Sequence, residues 1–235
     1  MAANVIVVAS DQFVEIAATT IAELIGESLT MRGTCSVALC GGSTPEPVYR
    51  DLTQRPVNWP DVLIYFGDER AVAPDNVESN FAMATRALFD HVAIPANQIY
   101  RMNGERTDRD AAAREYDALL PPRLDLLLLG VGPDGHTASL FPGSPAVTEP
   151  WRRVVAVAAP PAPLVPQVGR MTITPLVIAA ARHIVVMVRG SEKAAIVQRV
   201  LEGPDQPETL PAQFARGGTW IIDQAAAAQL HLRDT

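Results

Sequence analysis

The sequence has almost no lysine: Lys193 stands alone against eighteen arginines among its 19 basic residues. It has two cysteines, Cys35 and Cys40, five positions apart and at opposite ends of one expected strand. An extended span of that length exceeds the reach of a disulfide. Neither cysteine has a second Cys or a suitably spaced His nearby, so reduced core thiols are expected and a zinc site is not. No apolar run approaches 18 residues, and no basic segment followed by an apolar stretch opens the chain, so no membrane span and a cytoplasmic location are expected. Positive charge is not in excess either. A net charge of -7 argues against a general nucleic-acid partner, while leaving room for a small anionic ligand held by a few local cations. What is present is 48% apolar and 19% charged, a globular composition. At 235 residues the expectation is one α/β domain over 1–235.

The most informative stretch is 124–143, LDLLLLGVGPDGHTASLFPG. The run Leu126-Leu127-Leu128-Leu129, ended by Gly130, reads as a strand buried on both faces. It is too short for a buried helix, and Gly130, Gly132 and Gly135 follow within six residues. Those glycines allow sharp turning and close approach to a ligand. Asp134, His136, Thr137 and Ser139 then leave the sheet at a strand's carboxyl end, where open parallel sheets bind ligands.

In chain order, residues 4–9 (NVIVVA) form a first strand. Ser10 and Asp11 are set to cap a helix running to about residue 30. Residues 35–40 (CSVALC) form a second buried strand that runs into Gly41, Gly42, Ser43, Thr44 and Pro45. Pro45 belongs in the first turn of the next helix. Free backbone N–H groups, the helix dipole and two hydroxyls make this junction an anion-binding arrangement. It lacks the Gly-Lys-Ser/Thr of a Walker A loop and the G-x-G-x-x-G of a dinucleotide site. Residues 61–66 (DVLIYF) form a third strand, ending in Gly67-Asp68-Glu69-Arg70. Three charges in such a place are usually an ordinary solvated turn. Ser79 or Asn80 caps a helix through 89, and 108–120 is a helix stopped by Pro121-Pro122.

Beyond Pro142 the chain is rich in proline. Residues 153–158 read as a strand, 160–169 as an extended crossing loop, 175–182 as a helix and 184–188 as a buried strand. Lys193 falls in the first turn of the helix that follows, where the dipole disfavours a cation unless an anion is close. A strand at 219–222 precedes a terminal helix capped by Asp223. The β-α alternation predicts a doubly wound, mostly parallel sheet flanked by helices, Rossmann-like in layout.

Four blocks, CGGSTPEPVY (40–49), YFGDERAVAPDNVESNFAMA (65–84), LDLLLLGVGPDGHTASLFPGSPA (124–146) and VRGSEKAAIVQ (188–198), with the shorter RMTITP (170–175), closely resemble the bacterial type of 6-phosphogluconolactonase. The fold implied is the one shared with glucosamine-6-phosphate deaminase and ribose-5-phosphate isomerase. The activity implied is hydrolysis of 6-phospho-D-glucono-1,5-lactone in the oxidative pentose phosphate pathway, by a carboxylic ester hydrolase that needs no cofactor or metal. The partner implied is a phosphorylated sugar lactone, and the assembly a monomer or small homo-oligomer. Members commonly carry Lys-Pro-Pro ahead of the Arg-x-Thr block. Here Pro160-Pro161-Ala162-Pro163 keeps the prolines without the lysine.

Lactone hydrolysis needs an activated water, a place for the oxyanion and a hold on the phosphate. A free imidazole titrates near pH 6.5 and suits general-base work. The resemblance gives that role to His136, with Asp134 orienting the loop or ring. Arg70 and the backbone of Gly41, Gly42, Ser43 and Thr44 are placed to stabilise negative charge on substrate. Arg170 and Lys193, with Ser43 and Thr44, are the phosphate candidates. Spacing alone leaves open which of Arg70 and Arg170 faces phosphate and which the carbonyl. Asp68 supports geometry, by pairing with Arg70 or accepting a substrate hydroxyl. A second reading is a sugar-phosphate isomerase or deaminase with Asp68 as carbon base. Arg70 disfavours it, since deaminases resemble Asp-Glu-Tyr at that point. A third reading is a non-catalytic sugar-phosphate sensor, which expects a helix-turn-helix ahead of a first strand that here is expected from residue 4.

Overall fold

A computed structural model describes residues 3–231. Six parallel strands form the main sheet: β1 (Asn4–Val8), β2 (Cys35–Leu39), β3 (Val62–Phe66), β5 (Leu126–Leu129), β8 (His183–Val188) and β9 (Thr219–Asp223), in the order β1-β9-β8-β5-β2-β3. The expected doubly wound, mostly parallel sheet is therefore present. Its helices are α1 (Phe13–Arg32), α2 (Pro45–Leu52), α3 (Asn80–Ala87), α4 (Arg109–Leu119), α5 (Pro175–Ala180) and α6 (Ala194–Glu202).

The four-leucine run of β5 shows why the strand must be apolar throughout. Leu126 and Leu128 point into the core layer that also holds Phe13, Ile21, Tyr49 and Leu52 from α1 and α2. Leu127 and Leu129 point into the opposite layer with Tyr116 of α4 and Val197 and Val200 of α6. Alternation along a strand covered on both sides thus yields a continuous apolar run. Cys35 and Cys40 are free and buried, and burial pushes both thiols up to about 12.

The strand order creates a switch point. The chain leaves β2 toward β3 at one edge and leaves β5 in the other direction toward β8. Val37 and Ala38 of β2 pair with Leu126 and Leu127 of β5, so the loops following the two strands open side by side. In open α/β sheets, this crevice is where ligands sit.

A second sheet was not anticipated. Asp68–Arg70 is a strand, β4, paired antiparallel with β7 (Arg170–Ile173), which pairs in turn with β6 (Val154–Val157). The 67–70 segment is therefore not a solvated turn: Asp68 and Glu69 are buried. Gly67 joins the sheets, donating to the Leu39 carbonyl and accepting from the Ile173 N–H, both at 2.9 Å. Three charges in a three-residue strand hid it, because sheet propensity there is set by partners and not by the residues themselves.

Two other expectations are corrected. Ser10 and Asp11 do not cap α1: Gln12 holds the cap position without a side-chain bond, and the Ser10 hydroxyl donates to Asp223 at 3.0 Å. Asp223 ends β9, but residues 224–229 form turns and not a helix. Its carboxylate accepts from the Gly190 and Ala226 N–H groups, tying the ends of three strands together. No described helix is long and apolar enough to cross a membrane.

Candidate active site

A cleft of about 750 Å³ lies over the switch point. Its walls include Gly41, Gly42, Ser43 and Thr44 after β2, Asp68 and Arg70 of β4, Gly132 and His136 after β5, Arg170 of β7, and Lys193 ahead of α6. Of the site residues read from the sequence, only Asp134 does not line it; Asp134 lies behind the imidazole.

His136 is held from behind. Its Nδ1 lies 2.5 Å from Asp134 Oδ1, and its backbone N–H donates to the same oxygen at 3.1 Å. A carboxylate accepts only, so Nδ1 carries the proton and Nε2 is left with a free lone pair. Burial raises the Asp134 carboxyl, but the bond and charge of His136 outweigh it and leave the group below its ordinary value. The loop is built to seat the ring. Gly135 has φ +90, and a Cβ on Gly132 would overlap the imidazole. Gly132 N–H donates to the His136 carbonyl at 2.8 Å, closing the turn. Ala138, in the cleft wall, holds φ +48, a left-handed conformation costing roughly 1–2 kcal/mol in a residue with a side chain.

Thr137 and Ser139, both buried, turn away from the cleft. Thr137 donates to the Gly130 carbonyl at 2.9 Å, and Ser139 Oγ donates to Asp68 Oδ2 at 2.5 Å. Asp68 accepts a second bond from Asn80 Nδ2 at 3.0 Å. The expected pairing of Asp68 with Arg70 does not form. Side chains two apart on a strand share a face but stand about 6.6 Å apart, and the short Asp finds nearer donors. Arg70 reaches instead to the Glu78 carbonyl.

Arg70 and Arg170 are direct partners in the β4–β7 pair, so two guanidinium groups stand opposite each other on one face. The Nε of each is buried and has no acceptor. Burial pulls Arg170 below its ordinary value, with Asp68 opposing and Arg70 adding to the effect. Its outer nitrogen finds only long contacts, 3.4 and 3.3 Å, to the Val165 and Pro166 carbonyls of the crossing loop. Arg170 also lies 5.8 Å above the Phe141 ring, whose other neighbour is the His136 ring at 5.0 Å. Like charges held opposite each other in a sheet are unfavourable, and the Asp68 carboxylate on the same face partly offsets the repulsion.

Lys193 is the last residue of a short turn leading into α6. Its ammonium donates to the Val131 carbonyl at 2.8 Å, leaving two of its three donors available. Burial lowers its pKa, against the pull of Glu192 and Asp134. Among the described residues, no group of three or more His, Cys, Asp or Glu is arranged to hold a metal.

The sequence reading missed Phe141, which lies between the His136 imidazole and the Arg170 guanidinium. It took Asn80 only for a possible cap, and Ser79 holds that position, accepting from Ala82 N–H at 3.1 Å. It also missed Glu69, which points away from the cleft and collects bonds from Ser79 Oγ and the N–H groups of Arg70, Asn80 and Phe81. The alternation of Asp68, Glu69 and Arg70 is the signal that could have separated them, once the triplet is taken as strand.

Comparison with known proteins places these features in a family. Residues 9–222 match the family described as glucosamine-6-phosphate isomerases/6-phosphogluconolactonase. The 6-phosphogluconolactonase of Mycobacterium tuberculosis is 38% identical over 94% of this chain and 95% of its own. The structure of 6-phosphogluconolactonase from Trypanosoma cruzi superposes with a TM-score of 0.87 at 29% identity, covering 99% of both chains. A monomeric glucosamine-6-phosphate deaminase shares the fold, with a TM-score of 0.84 at 24% identity over 98% of this chain and 100% of that one.

Proposed function

The chain belongs to the glucosamine-6-phosphate isomerase/6-phosphogluconolactonase family, and from that membership we infer that it hydrolyses 6-phospho-D-glucono-1,5-lactone to 6-phosphogluconate, a step of the oxidative pentose phosphate pathway. The observation that carries the residue-level reading is one cleft that joins an imidazole with a free Nε2 to two guanidinium groups whose buried Nε atoms lack acceptors.

His136 Nε2 takes a proton from the attacking water as its oxygen bonds to the lactone carbonyl carbon. Asp134 holds the Nδ1–H and stabilises the imidazolium that forms. The carbonyl oxygen becomes an oxyanion. Arg70 and the backbone N–H groups of Gly41 and Gly42 are the donors assigned to it. When the carbon–ring-oxygen bond breaks, the departing oxygen takes the proton back from His136, and the open-chain acid is released. Arg170, Lys193, Ser43 and Thr44 are assigned to the phosphate, with Lys193 using the two donors that Val131 leaves free. Asp68 accepts a substrate hydroxyl and removes no proton from carbon. Its oxygens already accept from Ser139 Oγ and Asn80 Nδ2, which fixes the carboxylate in the cleft wall.

The test separates hydrolysis from isomerase or deaminase chemistry. Enzyme-dependent acid release from freshly generated lactone is expected, with spontaneous opening subtracted. Glucose 6-phosphate, glucosamine 6-phosphate or ribose 5-phosphate in D₂O should gain no deuterium at C2 and give no ammonia or ketose. Deuterium incorporation without lactone opening would overturn the assignment and move the central role to Asp68.

A further inference from the structure

Asn80 is buried, and every polar group it carries except one is committed. Its backbone N–H donates to Glu69 Oε1 at 2.8 Å, at the start of α3. Its Nδ2 donates to the Asp68 carbonyl at 2.8 Å and to Asp68 Oδ1 at 3.0 Å. The amide orientation follows from those two acceptors, because a flipped amide would set Oδ1 against a carboxylate. Oδ1 therefore points the other way, buried and without a donor. What it meets there is Gly41: a Cβ on Gly41 would overlap Asn80 Oδ1 and Cγ. Gly41 is not in the positive-φ region, so its backbone alone does not call for glycine. The space it leaves is occupied by the Asn80 carboxamide.

We propose that Asn80 is a positioning residue for the reaction. Its carboxamide clamps Asp68 through Nδ2 and seats the Gly41–Thr44 anion loop against its other edge, so that the two walls of the cleft keep one spacing. A buried acceptor left without a donor is unfavourable, and it persists here where both contacts converge on the reacting cleft. Ser79 already caps α3, and the Glu69 bond uses the backbone of residue 80, so the helix does not need this side chain.

The inference rests on the lactonase reading, and its test has one arm with catalysis and one without. In the first, Asn80→Ala is expected to lower kcat about 10–100-fold, the scale of a small misplacement of reacting groups. KM should rise by a smaller factor than kcat falls, because Arg170 and Lys193 keep their assigned phosphate contacts. In an Asp68→Ala background the same substitution should cost clearly less than in the wild type, since only the share exerted through the Gly41–Thr44 loop remains. Asn80→Asp, which keeps the volume but sets a carboxylate beside Asp68, should be no better than Ala. In the second arm, Gly41→Ala should lower the melting temperature, and Asn80→Ala added to it should restore most of that loss by removing the overlap. Wild-type kcat in Asn80→Ala, or an equal further loss in the Asp68→Ala background, would overturn the positioning role. Additive melting losses in the double variant would overturn the contact itself. A wild-type protein that does not open the lactone refutes the function while leaving the melting arm to decide the contact.

Discussion

At the amino end of the six-stranded sheet, Asp125 is saturated with partners. Its Oδ1 lies 2.8 Å from Arg32 Nε and 3.2 Å from Arg182 Nε. Its Oδ2 accepts from the Ser36 N–H and hydroxyl at 2.9 and 2.8 Å. At the carboxyl end, Arg70 and Arg170 face each other with buried Nε groups that no acceptor meets. Both ends carry buried or half-buried charge contributed by residues far apart in sequence. At one end the charges close on themselves and fasten strands β2, β5 and β8. At the other they are left open toward a cleft. Removing a charge from the first end should therefore cost stability and spare chemistry, and removing one from the second should do the reverse.

The largest effect is expected at His136. His136→Ala should fold with little change and lose about 10²–10⁴ of the catalysed rate, the usual range for a general base. Acid release corrected for spontaneous opening measures it. A wild-type rate would remove His136 from the mechanism. A large fall in melting temperature would place His136 with the closed end of the sheet and break the contrast.

Next is Asp125→Ala, a loss of stability and not of activity. It leaves two guanidinium groups and the Ser36 donors without their acceptor. Hydrogen bonds to charged groups are each worth about 1.5–3 kcal/mol, and partial exposure of both arginines argues for a total near 2–3 kcal/mol. In a chain of this size that is roughly 4–12 °C in melting temperature. Activity per folded molecule should be unchanged, and a fall in kcat at full folding would show that the two ends are coupled.

Lys193→Ala sharpens the comparison within the cleft. It should weaken use of the phosphorylated lactone by about 1.5–3 kcal/mol and barely affect the unphosphorylated one. Equal losses on both substrates would mean that the bond to Val131, which braces the His136 loop, is the whole of its role.

How far these contrasts could be read in advance differs between the two sheets. The parallel sheet was legible because burial on both faces imposes an apolar run such as Leu126 to Leu129, and a run followed by glycines announces a strand and a ligand loop. His136, Asp134, Arg70 and Lys193 could be singled out as candidates because each follows such a strand. The antiparallel sheet was not legible. β4 is three charged residues, stabilised by partners about a hundred positions away, and nothing local marks it. For the same reason the opposition of Arg70 and Arg170 could not be seen: it is a property of register, not of either segment. Asn80 was masked by its neighbour, since Ser-Asn before a helix reads as a cap, and only the folded chain reveals that the side chain turns toward Asp68 and Gly41.

That register carries the smallest of the expected effects, and the one most specific to the open end. Arg170→Met keeps the apolar bulk over Phe141 and deletes one of two facing charges, at the loss of two long contacts to loop carbonyls and of the attraction to Asp68. Relief of a like-charge cross-strand pair is worth about 0.2–1 kcal/mol and offsets the lost attraction to Asp68, so the unliganded protein should melt close to the wild-type temperature. Inorganic phosphate should raise the melting temperature of the wild type, because an anion that binds only the folded state stabilises it by mass action. The same additions should raise that of Arg170→Met much less. Because attraction to Asp68 and repulsion from Arg70 oppose each other in the free protein, most of the guanidinium's value lies in the liganded state, and the two melting curves read that value. If Arg170→Met instead loses stability as Asp125→Ala does while its response to phosphate persists, Arg170 belongs with the closed charges, and the anion is held by Lys193 and the Ser43-Thr44 loop without it.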